Sequence, residues 1–383
     1  MLRNKDKGIT LIALVITIII LLVLAGISIS ALTNQGLFKN AKIAQNATEK
    51  AEKEQGQRLN EYEDEINKYL NNANEDEKIG LITDNINKEL SKTDNTELKD
   101  AKENKIVVPA GFKIVDGATT VDKGIVIEDV TETATKGSQF VWVPVGTITK
   151  ADGTTTTITL GRYDFNSTTG VESAYTGTYV EEDSNDSSTL KKYGNTIAKN
   201  ITNFKNSVAQ NGGYYIGRYE ARTATARSAK TDALTQITEK GTENVYNYVT
   251  QLQAAQLSQN MYTSNKFTSD LMNSYAWDTA TVFIQNCGTN AKYSRQNSLN
   301  TSLLQTGTNS LTDTSKIDVQ CNIYDMASNI EEWTTETSYD SDSPCVYRGG
   351  YCISSNVFTS NRSNSYTSGR GNVGFRPLLY VNV

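Results

Sequence analysis

An uninterrupted apolar stretch near the N-terminus constrains this chain more than any other feature. No charged residue lies between Lys7 and Lys39 in the sequence of 383 residues, and residues 9–32 are almost wholly apolar. As an α-helix, these roughly 24 residues would extend about 36 Å, enough to cross the hydrocarbon core of a bilayer with some tilt. The stretch therefore predicts a transmembrane helix over 9–32.

Three basic residues, Arg3, Lys5 and Lys7, precede the apolar run. Because basic residues favour the cytoplasmic side, they predict a single-pass protein of the cell membrane with a cytoplasmic N-terminus and an extracellular C-terminal part. A plain anchor is one alternative. A secretory signal peptide is another. Its apolar core is usually shorter, about 7–15 residues, but Ala25 and Ala31 imitate the small residues of a cleavage site.

The start of the apolar run resembles the class III leader of type IV pilins and pseudopilins. A short basic leader ends in Lys7-Gly8, and Ile9 opens the apolar segment. The resemblance implies that a prepilin peptidase cuts between Gly8 and Ile9, and that a pilus or secretion assembly machinery and other pilins are partners. Ala13 stands where the family usually has a glutamate. This implies a minor or tip subunit, located in the membrane or in an extracellular pilus, or an anchor that does not polymerise.

The chain after the apolar run divides into three further parts. Apolar and small residues recur at spacings of three and four from Leu37 to Tyr69, which is typical of an amphipathic or weak coiled-coil helix; a solvated tether is the alternative. Polar and charged residues follow up to about Lys105. The predicted organisation is a leader at 1–8, a transmembrane helix at 9–32, a stalk helix at 33–70, a spacer at 71–105 and an ectodomain at 106–383.

The distal part has the composition of a folded, strand-rich domain. Aromatic and β-branched residues are spread through a background rich in Asn, Thr, Ser and Gly, which favours many short strands over disorder. Strand-like runs occur within 105–146, residues 147–200 are interpreted mainly as a surface insertion, and helices are predicted at Val245–Met261 and Tyr275–Asn286. The net charge of −6 gives no reason to expect a nucleic-acid partner.

The chain contains no histidine, which excludes Ser-His-Asp and Cys-His catalysis and histidine-ligated zinc or iron. Its four cysteines, Cys287, Cys321, Cys345 and Cys352, lie in the last quarter without CxxC spacing, which argues against zinc. They are candidates for one or two structural disulfides. Cys345 and Cys352 flank a turn-like segment whose loop a bridge would close. Free buried thiols are the alternative.

Four distal segments occur in an order that resembles the formylglycine-generating enzyme or sulfatase-modifying-factor family. They read GRYEA at 217–221, NIYDMASNIEEW at 322–333, YRGG at 347–350 and GFR at 374–376. The resemblance covers roughly 106–383 and implies a fold related to C-type lectins. The expected fold class of the whole chain is therefore α+β, with a long N-terminal transmembrane and stalk helix followed by a C-type-lectin-like domain rich in short strands and loops.

The activity of this family is not expected here. In its oxidase members two active-site cysteines follow the Gly-Gly pair, and those places fall on Ser354 and Thr359, with Cys352 out of register by two. Hydroxyls are poor ligands for copper, and the iron-dependent members need histidine, so neither copper nor iron is expected. The resemblance thus implies a non-catalytic member. The alternative is a membrane-anchored enzyme of the formylglycine-generating type.

A calcium site of the same family matches four positions of this sequence. The resemblance implies ligation by the side chains of Asp325 and Glu332 and by the backbone carbonyls of Ser328 and Ile330. Hard oxygen atoms in a tight turn are what Ca²⁺ prefers. In the alternative interpretation, the two carboxylates cap the turn or pair with Arg348.

A lectin-like domain on a stalk implies binding or adhesion, with surface glycans or proteins as partners. Tyrosine rings can stack on sugars, and Tyr339, Tyr347, Tyr351 and Tyr366 are the candidates named from the sequence. Half-buried packing within strands is the alternative role for these rings. The predicted function is a non-catalytic, surface-displayed, pilin-like protein that presents a lectin-like binding domain.

Overall fold

The computed structural model describes residues 15–25, 42, 48, 50, 90–115, 118–181, 200–299, 318–352 and 356–383. The chain separates into two compact units, Met1–Lys78 and Ile79–Val383. This boundary lies earlier than the one predicted near Lys105. The reason is that the segment before Lys105 forms a strand, pairs with the next strand, and packs Leu98 against the core of the second unit.

In the first unit, residues 15–25 are helical, as are residues 42, 48 and 50. Within the described parts of the chain, no helix is long and apolar enough to cross a membrane. The finding contradicts the predicted fold class with its long transmembrane and stalk helix, and the predicted single-pass location in the cell membrane.

Other predictions for the N-terminal part fall outside the described residues. These are the leader with its cleavage site at Gly8 and Ile9, and most of the stalk and spacer up to residue 89.

The second unit consists mainly of short strands. In chain order they are β1 (Thr96–Lys99), β2 (Lys105–Val108), β3 (Phe112–Val115), β4 (Val126–Asp129), β5 (Gln139–Pro144), β6 (Gly146–Thr149), β7 (Thr155–Ile158), β8 (Tyr163–Phe165), β9 (Glu172–Ala174), β10 (Gly213–Gly217), β11 (Arg222–Thr223), β12 (Asn244–Val245), β13 (Phe267–Leu271), β14 (Val319–Gln320), β15 (Ile323–Tyr324), β16 (Glu331–Thr337), β17 (Cys345–Arg348), β18 (Arg362–Ser365), β19 (Val373–Phe375) and β20 (Pro377–Val381). The strand runs predicted within 105–146 are confirmed as β2, β3, β4 and β5.

The larger sheet has six antiparallel strands in the order β13-β20-β10-β5-β4-β3. Its central strands read as continuous apolar runs because both faces are covered: β10 and β20 bury every residue, and β5 every residue except Gln139. The edge strand β3 instead alternates buried and half-buried residues, the period-two pattern of a strand with one covered face.

The smaller sheet has four strands in the order β18-β17-β16-β19. Its pairs are antiparallel except for β16 and β19, which are parallel and place Glu332 opposite Gly374. All seven residues of β16 are buried, although six are polar or charged. Such a strand is stable only if its polar groups find partners inside the protein, and this requirement determines the chemistry described below.

The described helices of the second unit are α1 (Ile201–Asn211), α2 (Gln251–Gln259) and α3 (Ser274–Cys287). The predicted helix Tyr275–Asn286 is confirmed as α3. The helix predicted at Val245–Met261 is shorter than expected, because Thr250 caps α2 and residues 244–245 form a strand. Helices α2 and α3 each contact strands of both sheets and thereby join them.

The segment 147–200, predicted mainly as a surface insertion, contains two hairpins among its described residues. Strands β6 and β7 form one, and β8 and β9 form the other. The second hairpin carries several aromatic side chains, and it forms one wall of the cleft considered below.

Replacing Thr250, the N-cap residue of α2, tests how much its capping hydrogen bonds contribute to the stability of the fold. The Thr250 hydroxyl accepts a hydrogen bond from Gln253 N at 3.1 Å, and the Gln253 side chain accepts one from Thr250 N at 3.0 Å. We expect Thr250→Ala to lower the free energy of unfolding by about 1 kcal/mol, and Thr250→Ser to retain most of it. Urea denaturation followed by tryptophan fluorescence measures this, since all three tryptophans lie in the second unit. Equal losses in both variants would contradict the capping role.

Candidate binding site

The segments that carry the family resemblance lie together in the structure. Residues 217–221 reach β19 through Ala221 N, which donates to Phe375 O at 2.8 Å. They reach the loop before β16 through Tyr324 N, which donates to Arg218 O at 2.9 Å. These contacts gather the GRYEA, NIYDMASNIEEW and GFR segments around one buried centre.

The fourth segment, YRGG, packs on the same loop through its glycines. Gly349 has a φ of 86°, a conformation that L side chains rarely adopt. A Cβ atom on Gly350 would overlap the backbone of Ala327. The Gly-Gly pair is therefore required by a close backbone approach.

A buried ion pair between Glu332 and Arg376 connects the gathered segments. Arg376 Nη2 donates to Glu332 Oε1 at 2.7 Å, and Arg376 Nε donates to Oε2 at 3.2 Å. The guanidinium also donates to the carbonyl oxygens of Gly217 at 2.9 Å and Tyr324 at 2.7 Å. Burial acts to lower the pKa of Arg376, but Glu332 more than offsets this and raises it. Burial also raises the pKa of Glu332, and the Arg376 charge opposes this shift.

Two further glutamates lie near this pair. Glu220 accepts hydrogen bonds from Asn329 Nδ2 at 2.5 Å and from Ile330 N at 3.2 Å. Burial raises the pKa of both Glu220 and Glu239 well above the ordinary value. Burial therefore favours the protonated form of both acids more than it would for an exposed carboxyl group.

Arg376 is a competing cation at one of the predicted calcium ligands. Asp325, Ser328 and Ile330 share the loop that leads into β16, and both carboxylate oxygens of Glu332 are hydrogen-bonded by Arg376. Among the residues that the structure describes, no group of three or more acidic or cysteine side chains is placed to hold a metal ion. Calcium binding stays a prediction.

None of the four cysteines is in a disulfide, so the disulfide candidates are not joined. Cys345 is the first residue of β17, and Cys352 lies beyond the other end of that strand. Strands rise about 3.3 Å per residue, and a disulfide needs Cα atoms within about 7 Å. Burial raises the pKa of Cys287 to about 12 and raises that of Cys321 further. Both thiols are therefore protonated and poorly nucleophilic.

The two positions that correspond to the family's catalytic cysteines carry no exposed nucleophile in the described part of the chain. Ser354 lies outside the described residues. Thr359 is fully buried, and its carbonyl oxygen accepts a hydrogen bond from Trp277 Nε1 at 3.0 Å. Thr359 is therefore a packing residue.

The tyrosines named from the sequence do not form a common surface with the cleft. Tyr339 and Tyr366 are about half exposed, with fractions of 53% and 59%. Tyr347 packs edge-on against the buried Trp333, with 5.7 Å between ring centroids. None of these rings lines the cleft described next.

A cleft of about 380 Å³ opens between hairpin β8–β9 and the segment before β18. This volume lies within the range of small-ligand sites. The cleft is lined by aromatic rings and by a few polar groups: Tyr163, Asp164, Phe165, Tyr175, Tyr179, Arg295, Phe358, Ser360, Asn361 and Arg362.

The floor of the cleft rests on a buried cluster of three arginines and two carboxylates, called here the arginine cluster: Arg162, Arg348, Arg362, Asp278 and Glu336. Arg362 Nη2 donates to Asp278 Oδ2 at 2.6 Å, and its Nε donates to Glu336 Oε2 at 2.9 Å. Arg348, the alternative partner for the calcium-site carboxylates, instead binds Asp278. The arginine cluster carries one more positive than negative charge.

The ring of Tyr175 links the arginine cluster to the cleft. The Arg362 Cζ atom lies 4.0 Å from the Tyr175 ring centroid, and the Arg162 Cζ atom lies 4.4 Å from it. Guanidinium groups this close to a ring face gain cation–π stabilisation. These contacts fix the ring as part of the cleft wall.

The opposite wall carries a second stacked arginine. The Arg295 Cζ atom lies 3.7 Å from the centroid of the Phe358 ring. The two chain segments are tied together on either side, because Ser360 N donates to Ser294 O at 3.1 Å and Thr359 N donates to Gln296 O at 2.9 Å. Within the described residues, the Arg295 guanidinium makes no hydrogen bond or ion pair. Its donor edge is therefore available to a ligand.

Sequence reasoning did not identify any of the cleft residues. Tyr163, Phe165 and Tyr175 lie in a Thr/Ser-rich region interpreted as an insertion, and Arg295 lies between segments of no recognised pattern. The one available signal was the cluster of aromatic residues within 163–179, which is unusual for a solvated insertion.

Comparison with known proteins adds no relative. The chain matches no protein-family model, no curated protein and no solved structure. The resemblance to the sulfatase-modifying-factor family accordingly rests on the four segments alone.

Removing one partner of the central ion pair should be costly. We expect Glu332→Gln to lower the free energy of unfolding by about 3–5 kcal/mol, because Arg376 is left buried without a counter-charge. The double variant Glu332→Gln/Arg376→Met should lose less than the sum of the single losses. Urea denaturation measures all three. As a control, Glu132→Gln breaks the exposed pair with Lys136 and should change the free energy of unfolding little. If the losses of the two single variants simply add in the double variant, Glu332 and Arg376 are not coupled.

Glu331 should make the second unit less stable as pH rises from about 4.5 to about 7. Burial raises the pKa of Glu331 to about 7, with Arg370 opposing. From about pH 4.5 to 7 the folded state therefore retains a proton that the unfolded state releases, so stability falls as pH rises. Glu331→Gln should match the unaltered chain at pH 5 and exceed it by about 2 kcal/mol at pH 8. Urea denaturation at both pH values measures this. A stability difference between Glu331→Gln and the unaltered chain that is the same at pH 5 and pH 8 would contradict the raised pKa of Glu331.

Proposed function

We propose that the second unit is a non-catalytic, lectin-like binding domain, and that the cleft between hairpin β8–β9 and Phe358–Arg362 is its glycan-binding site. The observation that carries this proposal is the composition of the cleft. Aromatic rings alternate with groups that can hydrogen-bond to hydroxyls, namely Asp164, Ser360 and Asn361. A sugar ring presents the matching surfaces, an apolar face of C–H groups and an edge of hydroxyls. Amphipathic rings of Tyr and Phe suit the first surface, and convergent polar groups suit the second.

The chemistry of the cleft favours binding over hydrolysis. Glycoside hydrolysis uses two carboxyl groups that flank the scissile bond. Asp164 is the one carboxylate among the described residues that line the cleft, and its Oδ2 atom accepts two hydrogen bonds from Thr176, both at 2.9 Å. The chain has no histidine, and burial keeps the Cys287 and Cys321 thiols protonated. Recognition without turnover is the activity that these groups support.

An oligosaccharide array with neutral and acidic members tests the proposal on the full chain. We expect binding to at least one saccharide, and we expect Phe165→Ala to weaken it roughly two- to tenfold, because one ring of the cleft is lost. The Phe165 ring is half-buried at the end of β8, so its removal leaves the two larger sheets intact.

Tyr339→Ala and Tyr366→Ala are the matched controls. Both remove an exposed aromatic ring outside the cleft, and both should leave array binding unchanged. Loss of binding in Tyr366→Ala but not in Phe165→Ala would place the site elsewhere. A full chain that binds no saccharide on the array would overturn the proposal.

A further inference from the structure

Arginines and carboxylates face one another beneath and beside the cleft. The arginine cluster combines three guanidinium groups with the carboxylates of Asp278 and Glu336. Hairpin β8–β9 adds two acidic groups: Asp164 lines the cleft, and burial together with Glu172 raises the pKa of the cleft residue Tyr163. The partners of each guanidinium, and not the summed charge, therefore decide where an anion is attracted.

The position of that anion is indicated by Arg295. Its Cζ atom lies 3.7 Å from the Phe358 ring centroid, so the ring covers one side of the guanidinium. Its N–H groups make no hydrogen bond to the described residues. Ser360 N donates to Ser294 O within the 3₁₀ turn Tyr293–Arg295, and Thr359 N donates to Gln296 O directly after that turn. Tyr293 anchors the turn below, with its hydroxyl donating to Asp318 Oδ2 at 2.8 Å. A guanidinium positioned in advance loses less side-chain entropy when it binds.

The geometry of a free guanidinium edge selects the kind of group that binds there. A guanidinium fork matches the two oxygen atoms of a carboxylate, or two oxygens of a sulfate, through parallel hydrogen bonds. By contrast, the Arg362 guanidinium is already bound by Asp278 and Glu336. Arg295 is therefore the cation of the cleft that a ligand can reach.

We propose that the ligand of the cleft is an acidic saccharide whose anionic substituent pairs with Arg295 while its ring packs against the aromatic wall. This inference rests on the proposed function, since it names the class of glycan that the same site takes. It assigns Arg295 as the residue that separates acidic from neutral glycans.

Matched ligand pairs test the proposal without altering the protein. Titration calorimetry on the full chain compares free-acid oligosaccharides of galacturonate, glucuronate and sialic acid with their methyl esters, and sulfated with unsulfated lactose. Each pair differs only in the charge of one substituent. We expect the anionic member of at least one pair to bind about tenfold to hundredfold more tightly. The carboxylate and sulfate arms distinguish the two sources of negative charge.

Substitutions then assign the effect to Arg295. Arg295→Ala should abolish the preference for the anionic member, and Arg295→Lys should lose most of it, because an ammonium keeps the charge but lacks the fork and the stacking surface. Lys292→Ala removes the same charge from the same turn outside the cleft and should retain the preference. If Lys292→Ala and Arg295→Ala weaken binding equally, attraction is non-specific and the assignment is overturned.

The outcomes separate the two proposals. Equal affinity for the charged and neutral members of every pair overturns the role of Arg295 but leaves the glycan-binding function in place. No binding to any member overturns the glycan-binding function itself. Binding of acidic glycans that persists unchanged in Arg295→Ala places the anion elsewhere in the domain.

Discussion

The guanidinium of Arg376 is the group on which the arrangement of the second unit depends. A charge of this kind is expensive to bury unless it is paired and fully hydrogen-bonded. Its partners come from three places in the chain: Glu332 in β16, Gly217 in β10 and Tyr324 before β16. Because β10 belongs to the six-stranded sheet and β16 to the four-stranded sheet, satisfying one side chain requires both sheets to be in place. The ion pair therefore contributes to uniqueness of the fold as well as to its stability.

Local patterns predicted those elements whose partners lie nearby in sequence. Continuous apolar runs predicted β5 and its neighbours, and the apolar face around Trp277 predicted α3. The arginine cluster was not predictable in this way, since its ion pairs join residues far apart in sequence: Arg362 and Asp278 are separated by 84 positions, and Arg162 and Glu336 by 174. The ion pair of Glu332 with Arg376 was not predictable either, because Arg376 lies 44 positions beyond Glu332. At the N-terminus, the apolar run predicted a membrane-spanning helix, whereas no helix among the described residues is long and apolar enough to span a membrane.

The cleft combines a rigid floor with adaptable walls. Beneath it, two carboxylates are shared among three arginines, and the stacked contacts at Tyr175 add further constraint. Around it, short polar side chains such as Ser360 and Asn361 can serve as donor or acceptor. A site of this type holds the aromatic rings in fixed places, while hydrogen bonds at the edge adjust to different hydroxyl patterns.

One wall of the cleft comes from hairpin β8–β9, which belongs to neither of the two larger sheets. Under the proposed function, substitutions at its outward positions, such as Phe165, would alter the ligand while the two larger sheets keep their hydrogen bonds. Arg362 differs from these positions, because it lines the cleft and also pairs with Asp278 and Glu336. Its substitution would therefore change both binding and the stability of the fold.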